Sequence, residues 1–300
     1  MNHMHNQSDS FDIIHIVGDI AYAGLSSAIP ALNISKEDEF SHIWDLYGIQ
    51  NQKLTAVKPF MVTNGNHERF YDWAAYTNRY KMPASAQSNG NFWYSYNYGN
   101  IHMVSISSEH DLSADSPQIA FLINDLQQAV ENRENVPWIV LNIHKPVYST
   151  IEGAPSFRDY IEQYLLEYDV DLVLFGHMHA YERISPVNNY VLTVPPAQLH
   201  HADAYYSTGK GPVYVCQGNT GAMQGEKFVQ PQPDWSAVRM ANGIHPRNKS
   251  EVASDDVYSY RNTFGYGVIT SFNSTHLFYE NIPNTEKIRF TDRFWIVKRV

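Results

Sequence analysis

Cysteine is nearly absent from this sequence, and it lacks long apolar runs and an excess of positive charge. One cysteine in 300 residues excludes an internal disulfide and a metal site built on paired thiolates. No stretch of 18 apolar residues occurs, so we expect no membrane-spanning helix. Because 21 Lys and Arg face 31 Asp and Glu, the formal net charge of −10 argues against a nucleic-acid partner.

The amino-terminal segment is polar and has no apolar stretch of the kind that signal peptides carry. We interpret residues 1–10 as a polar tail and residues 11–300 as one domain, since no repeat or low-complexity linker divides them. N-x-S/T sequons nevertheless favour a glycosylated protein of the secretory pathway. The sequons begin at Asn6, Asn33, Asn248 and Asn273.

Short apolar runs alternate with amphipathic stretches in the first 185 residues. The runs are typical of strands buried on both faces of a sheet. They cover residues 11–17, 58–63, 138–143 and 170–175. Helices are predicted over residues 35–50, 116–130 and 156–168, the second with Ser116 as N-cap and an apolar face of Ile119, Leu122, Leu126 and Val130. Antiparallel strands are predicted after residue 185, so the fold class is α/β with a β-rich second half.

Polar side chains suited to metal binding follow each of the four apolar runs. They are Asp19 and Tyr22 after the first run, Asn66, His67 and Glu68 after the second, His144 after the third, and His177 and His179 after the fourth. The carboxyl ends of strands in an open α/β sheet converge on one crevice, so these groups should meet there. Imidazole and oxygen donors together suit transition metals, and one carboxylate can bridge two ions.

Each of these residues alone has an ordinary structural explanation. Asp19 could cap a helix, Tyr22 could be a packing residue, and His144 could be a hydrogen-bonded core histidine. Asn66 and the His177–His179 segment could be simple turns. Their joint occurrence at four strand ends favours a metal site. Five other histidines lack that setting: those at 3 and 5 are assigned to the tail, those at 200 and 201 to a solvated loop, and that at 15 to strand packing.

The motifs "GDIAY", "GNHE", "LNIH" and "GHMH" resemble those of the purple acid phosphatase branch of the metallophosphoesterase superfamily. The resemblance covers roughly residues 11–300 and implies a layered α/β/β/α sandwich. It implies that Asp19 bridges two metals, that Tyr22 and His179 bind Fe(III), and that His67 contacts the phosphate as a catalytic residue supported by Glu68. It assigns the second ion, which is zinc, manganese or iron, to Asn66, His144 and His177.

The resemblance implies an acid phosphatase that hydrolyses small phosphate monoesters by attack of a metal-bound hydroxide, in a secreted or lysosomal/vacuolar location. One family motif, D-x-G, is absent, so we expect an amino-terminally truncated chain that lacks the first strand and its aspartate. Two alternatives stay open. The same site could serve a phosphodiesterase or nucleotide pyrophosphatase, or the chain could be a non-catalytic glycoprotein whose iron site lacks one ligand.

Overall fold

The structure is a computed structural model that describes residues 2–24, 36–194, 204–207, 209, 211–222, 226–240, 264–284 and 291–298. Five α-helices lie in these residues: α1 Asn2–Asn6, α2 Lys36–Thr55, α3 Ala74–Arg79, α4 Pro117–Glu131 and α5 Arg158–Glu167. None of the helices in the described ranges is both long enough and apolar enough to cross a membrane. The predicted polar tail includes α1 and the 3-10 turn Ser8–Ser10, so it has local helical structure.

A seven-stranded mixed sheet forms the centre of the molecule. Its strands are β3 Tyr94–Tyr98, β4 Ile101–Ile106, β5 Trp138–Ile143, β6 Leu172–Phe175, β7 Tyr181–Ile184, β11 Val213–Gln217 and β12 Ser236–Met240. Their spatial order is β12-β7-β11-β6-β5-β4-β3. Every side chain of β5 and β6 is buried, which explains why their sequences are nearly continuous apolar runs.

Three smaller sheets complete the described strands. The first pairs β1 Ile14–Val17 in parallel with β2 Phe60–Thr63. The second, in the order β10-β15-β14-β13, contains β10 Ala204–Ser207, β13 Gly265–Ser271, β14 His276–Pro283 and β15 Asp292–Val297. The third is a short pair, β8 Val187–Asn188 with β9 Val191–Leu192. The second half of the chain is therefore β-rich in its described ranges, as predicted.

The layers follow from which apolar faces pack together. One face of the seven-stranded sheet packs against α4 and α5 through Leu122, Leu126 and Leu165. The other face packs against the four-stranded sheet, where Tyr279 and Phe294 are buried. A separate cluster, which includes Phe40, Trp44, Val62 and Tyr76, joins α2 and α3 to the β1–β2 pair. The described residues therefore form a mixed α/β fold around a large central sheet, with helices α4 and α5 on one face of that sheet and helices α2 and α3 on the β1–β2 pair.

Helix α4 shows how local sequence sets an element's start. The hydroxyl oxygen of Ser116 accepts a hydrogen bond from the backbone N–H of Ile119 at 3.2 Å, so the predicted N-cap is confirmed. The prediction for Val130 was wrong, because the last turn of the helix packs through Ala129 and leaves Val130 38% exposed.

The late strands are only partly antiparallel. Strand β11 runs antiparallel to β7 but parallel to β6, and β15 runs antiparallel to β14 but parallel to β10. The prediction of antiparallel strands was wrong for the β11–β6 and β15–β10 pairs, which are parallel. Periodicity reports which face of a strand is buried and carries no information about the direction of its neighbour.

A buried ion pair connects the two larger sheets. Arg183 on β7 donates from Nε to Oδ2 of Asp292 at 2.8 Å and from Nη2 to Oδ1 at 3.1 Å. The hydroxyl of Tyr181 donates to the same carboxylate at 2.7 Å. Arg183 is fully buried, and Asp292 is 2% exposed. This two-pronged contact fixes the position of β15 against the central sheet.

Candidate metal centre

The predicted donors lie at the carboxyl ends of four strands. Asp19 and Tyr22 follow β1, Asn66 and His67 follow β2, His144 follows β5 directly, and His177 and His179 follow β6. The structure brings all seven side chains into one connected cluster, which we call the donor cluster. Its contacts divide into two groups that share the carboxylate of Asp19.

The first group converges on one nitrogen of His144. Its Nε2 atom lies 3.1 Å from Oδ2 of Asp19, 3.1 Å from Oδ1 of Asn66 and 3.2 Å from Nδ1 of His177. The ligand atoms of Asp19, His144 and His177 all lie within 4.8 Å of one another. Carboxylate, amide oxygen and two imidazole nitrogens thus face a single point, which is the arrangement that a divalent transition metal takes.

A backbone carbonyl fixes the proton on His144. The Nδ1–H group donates to the carbonyl oxygen of Val17 at 2.8 Å, and a carbonyl can only accept. In the neutral ring the lone pair therefore lies on Nε2 and points at the donor cluster. Histidines that bind metals are commonly oriented by a hydrogen bond of this kind.

The second group joins the phenol of Tyr22 to His179. The hydroxyl of Tyr22 lies 2.7 Å from Nε2 of His179 and donates to Oδ2 of Asp19 at 3.3 Å. The same Oδ2 atom contacts His144, so Asp19 belongs to both groups. One carboxylate oxygen placed between two sets of donors is suited to a bridging role.

Glu68 holds the loop that presents Asp19. Its buried carboxylate accepts hydrogen bonds from the backbone N–H groups of Asp19, Ile20 and Gly65 at 2.8, 2.7 and 2.7 Å. Asp19 and Tyr22 both have φ near 52°, a left-handed conformation that costs energy for residues other than glycine. The three hydrogen bonds to Glu68 offset part of that cost.

Glycine is needed at position 65 because the backbone passes very close to the donors. A Cβ atom there would lie 2.4 Å from Oδ1 of Asp19 and 2.9 Å from Cε1 of His144. Neither side chain could move away without leaving the donor cluster. The "NGN" sequence is therefore a close-approach site rather than an ordinary turn.

The electrostatics of the donor cluster favour a bound cation. Burial alone would raise the pKa of Asp19, but the neighbouring His144 and His67 outweigh it and lower the pKa to about 2. Burial opposes a charge on His144, yet the carboxylate of Asp19 raises the pKa of this histidine above its ordinary value. Burial and the adjacent His144 lower the pKa of His177 to about 4. The carboxylate of Asp19 thus favours a positive charge at this point of the donor cluster.

The phenol of Tyr22 is strongly held in its neutral form. Burial and then the negative charge of Asp19 raise the pKa of Tyr22 far above that of a free tyrosine. A cation that takes the phenolate as a ligand must displace this proton, and an ion of high charge does so best. The phenol oxygen of Tyr22 and Nε2 of His179, 2.7 Å apart, are donors of the kind that the family resemblance assigns to Fe(III).

His67 lies at the mouth of the donor cluster. Its ring packs against Tyr22 with centroids 4.5 Å apart, and its Nε2 is 4.0 Å from Oδ2 of Asp19. The backbone N–H of His67 donates to Oδ1 of Asp19 at 3.0 Å. Its Nδ1 is buried and has no hydrogen-bond partner within the described ranges. The side chain is 23% exposed, so it is open to solvent beside the donors.

Sequence reasoning missed two contacts of the donor cluster. One is the carbonyl of Val17, which orients His144. The other is Glu226, whose Oε1 accepts from the backbone N–H of His179 at 3.2 Å. Neither residue lies in a recognisable motif. The loop histidines at 200 and 201 lie outside the described residues. His15 does pack inside the fold, where its ring bonds to the hydroxyls of Tyr96 and Thr63.

Comparison with known proteins assigns the chain to a family. The family model described as "Calcineurin-like phosphoesterase" matches residues 2–181, and the model described as "Iron/zinc purple acid phosphatase-like protein C" matches residues 211–292. The chain is 26% identical to purple acid phosphatase 1 of Ipomoea batatas over 100% of this chain and 59% of that protein. It is 31% identical to purple acid phosphatase 18 of Arabidopsis thaliana over 81% of this chain and 50% of that protein.

A solved structure shares the fold. The purple acid phosphatase from yellow lupin (Lupinus luteus) seeds superposes with a TM-score of 0.77 at 22% identity, over 99% of this chain and 48% of that chain. The chain thus spans about half to three fifths of the length of these relatives. It belongs to the calcineurin-like phosphoesterase family, and within that family to the purple acid phosphatases.

Proposed function

We propose that this chain is the catalytic domain of a dinuclear-metal acid phosphatase that hydrolyses small phosphate monoesters. The observation that carries the proposal is the shared carboxylate: Oδ2 of Asp19 contacts both Nε2 of His144 and the hydroxyl of Tyr22. The matching relatives are named as acid phosphatases in plants and animals, which supports the same reaction class. We place the protein in a secreted or lysosomal/vacuolar compartment, as expected for such enzymes.

Each donor has a role in this proposal. Tyr22 and His179 would hold Fe(III), Asn66, His144 and His177 would hold zinc, manganese or iron, and Asp19 would contribute its carboxylate to both sites. When bound, the two ions supply the positive charge that binds a phosphate group and makes water a stronger nucleophile at acidic pH.

The protein's own residues complete the site. His67, at the mouth of the donor cluster and 23% exposed, donates a proton to the leaving-group oxygen. The hydrogen bond from its backbone N–H to Asp19 keeps the ring beside the donors. Glu68 preserves the geometry by holding the backbone of Asp19 and Gly65.

The experiment measures metal content and hydrolysis on the whole chain, purified without chelator. We expect about two metal ions per chain, iron among them, and faster hydrolysis of para-nitrophenyl phosphate than of bis-para-nitrophenyl phosphate. Asp19→Asn, which keeps the side-chain shape, should lose metal and activity together. Asp45→Asn is the matched control, because Asp45 is an exposed surface residue paired with Arg79. One metal or none in a folded wild-type chain would favour the non-catalytic alternative, and preference for the diester would favour the phosphodiesterase.

A further inference from the structure

An ion pair that belongs to none of the metal-binding motifs lies beside the donor cluster. Lys145 directly follows His144 in the chain, and its Nζ atom lies 2.8 Å from Oε1 and 2.9 Å from Oε2 of Glu109. We call Lys145 and Glu109 the rim pair. The side chain of Glu109 is 7% exposed and that of Lys145 is 21% exposed. The carboxylate is therefore enclosed, and the lysine is the member of the rim pair that is more open to solvent.

Two neighbouring parallel strands bring the rim pair together. Ile106 at the end of β4 lies opposite Ile143 at the end of β5, so the segments after these strands begin side by side at the edge of the sheet that carries the donor cluster. Ser108 joins the two segments. Its hydroxyl oxygen accepts from the backbone N–H of Lys145 at 3.2 Å, and its hydroxyl donates to Oε1 of Glu109 at 2.9 Å. The fold therefore sets the position of the rim pair relative to the donors.

The ammonium group of Lys145 is held on two sides and keeps a free N–H bond. Glu109 binds it on one side, and the ring of Phe157 lies on another, with Nζ 5.9 Å from the ring centroid. Among the described residues, Glu109 is the only hydrogen-bond partner of Nζ. The carboxylate can accept two of the three N–H bonds of an ammonium group. The third N–H bond is therefore available to a ligand.

The positive charge of the rim pair dominates at the donor cluster. Burial and His144 have the largest lowering effects on the pKa of His177, and the charges of the rim pair act on the same histidine. The positive charge of Lys145 has the larger effect of the two, and the negative charge of Glu109 has the smaller. A group that lies beside the donors therefore experiences the rim pair as a positive charge, which attracts an anion.

We propose that Lys145 binds a carboxylate on the leaving group of the substrate, so that phosphate monoesters of hydroxy acids are the favoured substrates. The inference rests on the proposed function, because it places the phosphate of the substrate at the donor cluster. The ammonium group donates a hydrogen bond to the substrate carboxylate while Glu109 holds it in place. A carboxylate fits better than a second phosphate, because the negative charge of Glu109 repels a dianion more strongly than a monoanion.

The first experiment compares two substrates that differ at one end only. 3-Phosphoglycerate carries a carboxylate where glycerol 3-phosphate carries a hydroxymethyl group. The value of kcat/KM is measured for both with the whole metal-loaded chain, at low salt and about pH 6. We expect the wild type to prefer 3-phosphoglycerate by about fivefold, mainly through a lower KM, because an ion pair at a partly exposed site makes a modest contribution to binding.

Lys145→Met removes the charge and keeps a side chain of similar length. We expect the ratio of the two kcat/KM values to fall to about one, and a loss common to both substrates, such as weaker metal binding, cancels in this ratio. Lys81→Met is the matched control and should keep the wild-type ratio, because Lys81 is an exposed residue that donates to the carbonyl oxygen of Thr77. A wild-type ratio of one, an unchanged ratio in Lys145→Met, or an equal loss in Lys81→Met would overturn the inference.

The second experiment measures binding without hydrolysis, so it separates failure of this inference from failure of the proposed function. 4-Phosphonobutyrate and 4-hydroxybutylphosphonate have a P–C bond that resists hydrolysis, and they differ at the same end as the two substrates. Calorimetric titration in the presence of iron and zinc should give a roughly fivefold lower Kd for 4-phosphonobutyrate in the wild type, and equal values in Lys145→Met. If the wild type hydrolyses neither ester but shows this difference, the phosphatase proposal fails and the role of Lys145 stands. Equal Kd values in the wild type, or no binding of either phosphonate, would overturn the inference.

Discussion

The carboxylate of Glu68 lies 2.8 Å from the backbone nitrogen of Asp19 and accepts its hydrogen. The same carboxylate accepts from Ile20 and Gly65, so a single buried side chain ties the loop after β1 to the loop after β2. Asp19 has a left-handed backbone at this contact, with φ of 52°. The donor cluster therefore depends on a residue that is not itself one of the seven donors.

Replacing Glu68 by Gln should weaken both the fold and the metal site. Gln has the same shape but only one acceptor oxygen, so at least one of the three N–H groups loses its partner. We expect the free energy of unfolding to fall by roughly 1–3 kcal/mol and metal affinity to fall as well. Urea unfolding and metal content measure the two effects. Glu131→Gln on the exposed end of α4 is the control. If Glu68→Gln has the same unfolding free energy and metal content as this control, the three hydrogen bonds to Glu68 are not needed.

Replacing Tyr22 by Phe should affect one group of donors only. The change removes the hydroxyl that contacts His179 and Asp19 and leaves Asn66, His144 and His177 in place. We expect loss of iron and of the purple phenolate absorption, with the second ion retained. Absorption spectroscopy and elemental analysis are the measurements. Tyr98→Phe, at an exposed position of β3, should keep the colour, whereas a purple Tyr22→Phe protein would remove Tyr22 from the iron site.

The ion pair between Arg183 and Asp292 should be coupled energetically. Arg183→Met or Asp292→Leu alone leaves the partner buried and unpaired, so we expect each to lower the free energy of unfolding by about 3–5 kcal/mol. The double variant leaves no uncompensated buried charge and should lose clearly less than the sum of the two. Guanidinium unfolding of all four proteins gives the coupling energy. Additive losses would mean that the two side chains act independently.

His15 should make the fold sensitive to acid. Burial lowers the pKa of His15 to about 3, against an ordinary value of 6.5. Between these values the unfolded chain binds a proton at this position and the folded chain does not. The stabilising contribution of the neutral ring is therefore complete above pH 6.5 and is lost as the pH falls toward 3, at up to about 1.4 kcal/mol per pH unit.

The test is a pH series of urea unfolding curves for the wild type and for His15→Gln. Gln can still bond the hydroxyls of Tyr96 and Thr63 but does not titrate. We expect the variant to be less stable at pH 8 and to lose stability less steeply between pH 6.5 and pH 4. Parallel curves for the two proteins would show that His15 does not contribute to acid sensitivity.

Much of the donor cluster could be predicted because its residues lie within a few positions of the ends of strands. The apolar runs before Asp19, Asn66, His144 and His177 identify those strands, and strand ends converge in folds of this class. The contacts with Val17 and Glu226 could not be predicted, because they use a backbone carbonyl in one case and a loop far along the chain in the other. Val130 was misplaced because apolar spacing does not show where a helix stops packing.

The buried Cys216 offers a way to observe the metal-binding segment open. Its Sγ atom lies 3.6, 3.4 and 3.4 Å from the carbonyl oxygens of Gly176, Met178 and Ala180, the residues that alternate with His177 and His179. Burial raises the pKa of this thiol, so it resists modification while the segment is in place. Cys216 is the sole thiol in the chain. The rate at which a disulfide reagent labels it therefore measures how often the segment that carries His177 and His179 opens. We expect metal ions bound to His177 and His179 to lower the labelling rate, and removal of the ions by a chelator to raise it.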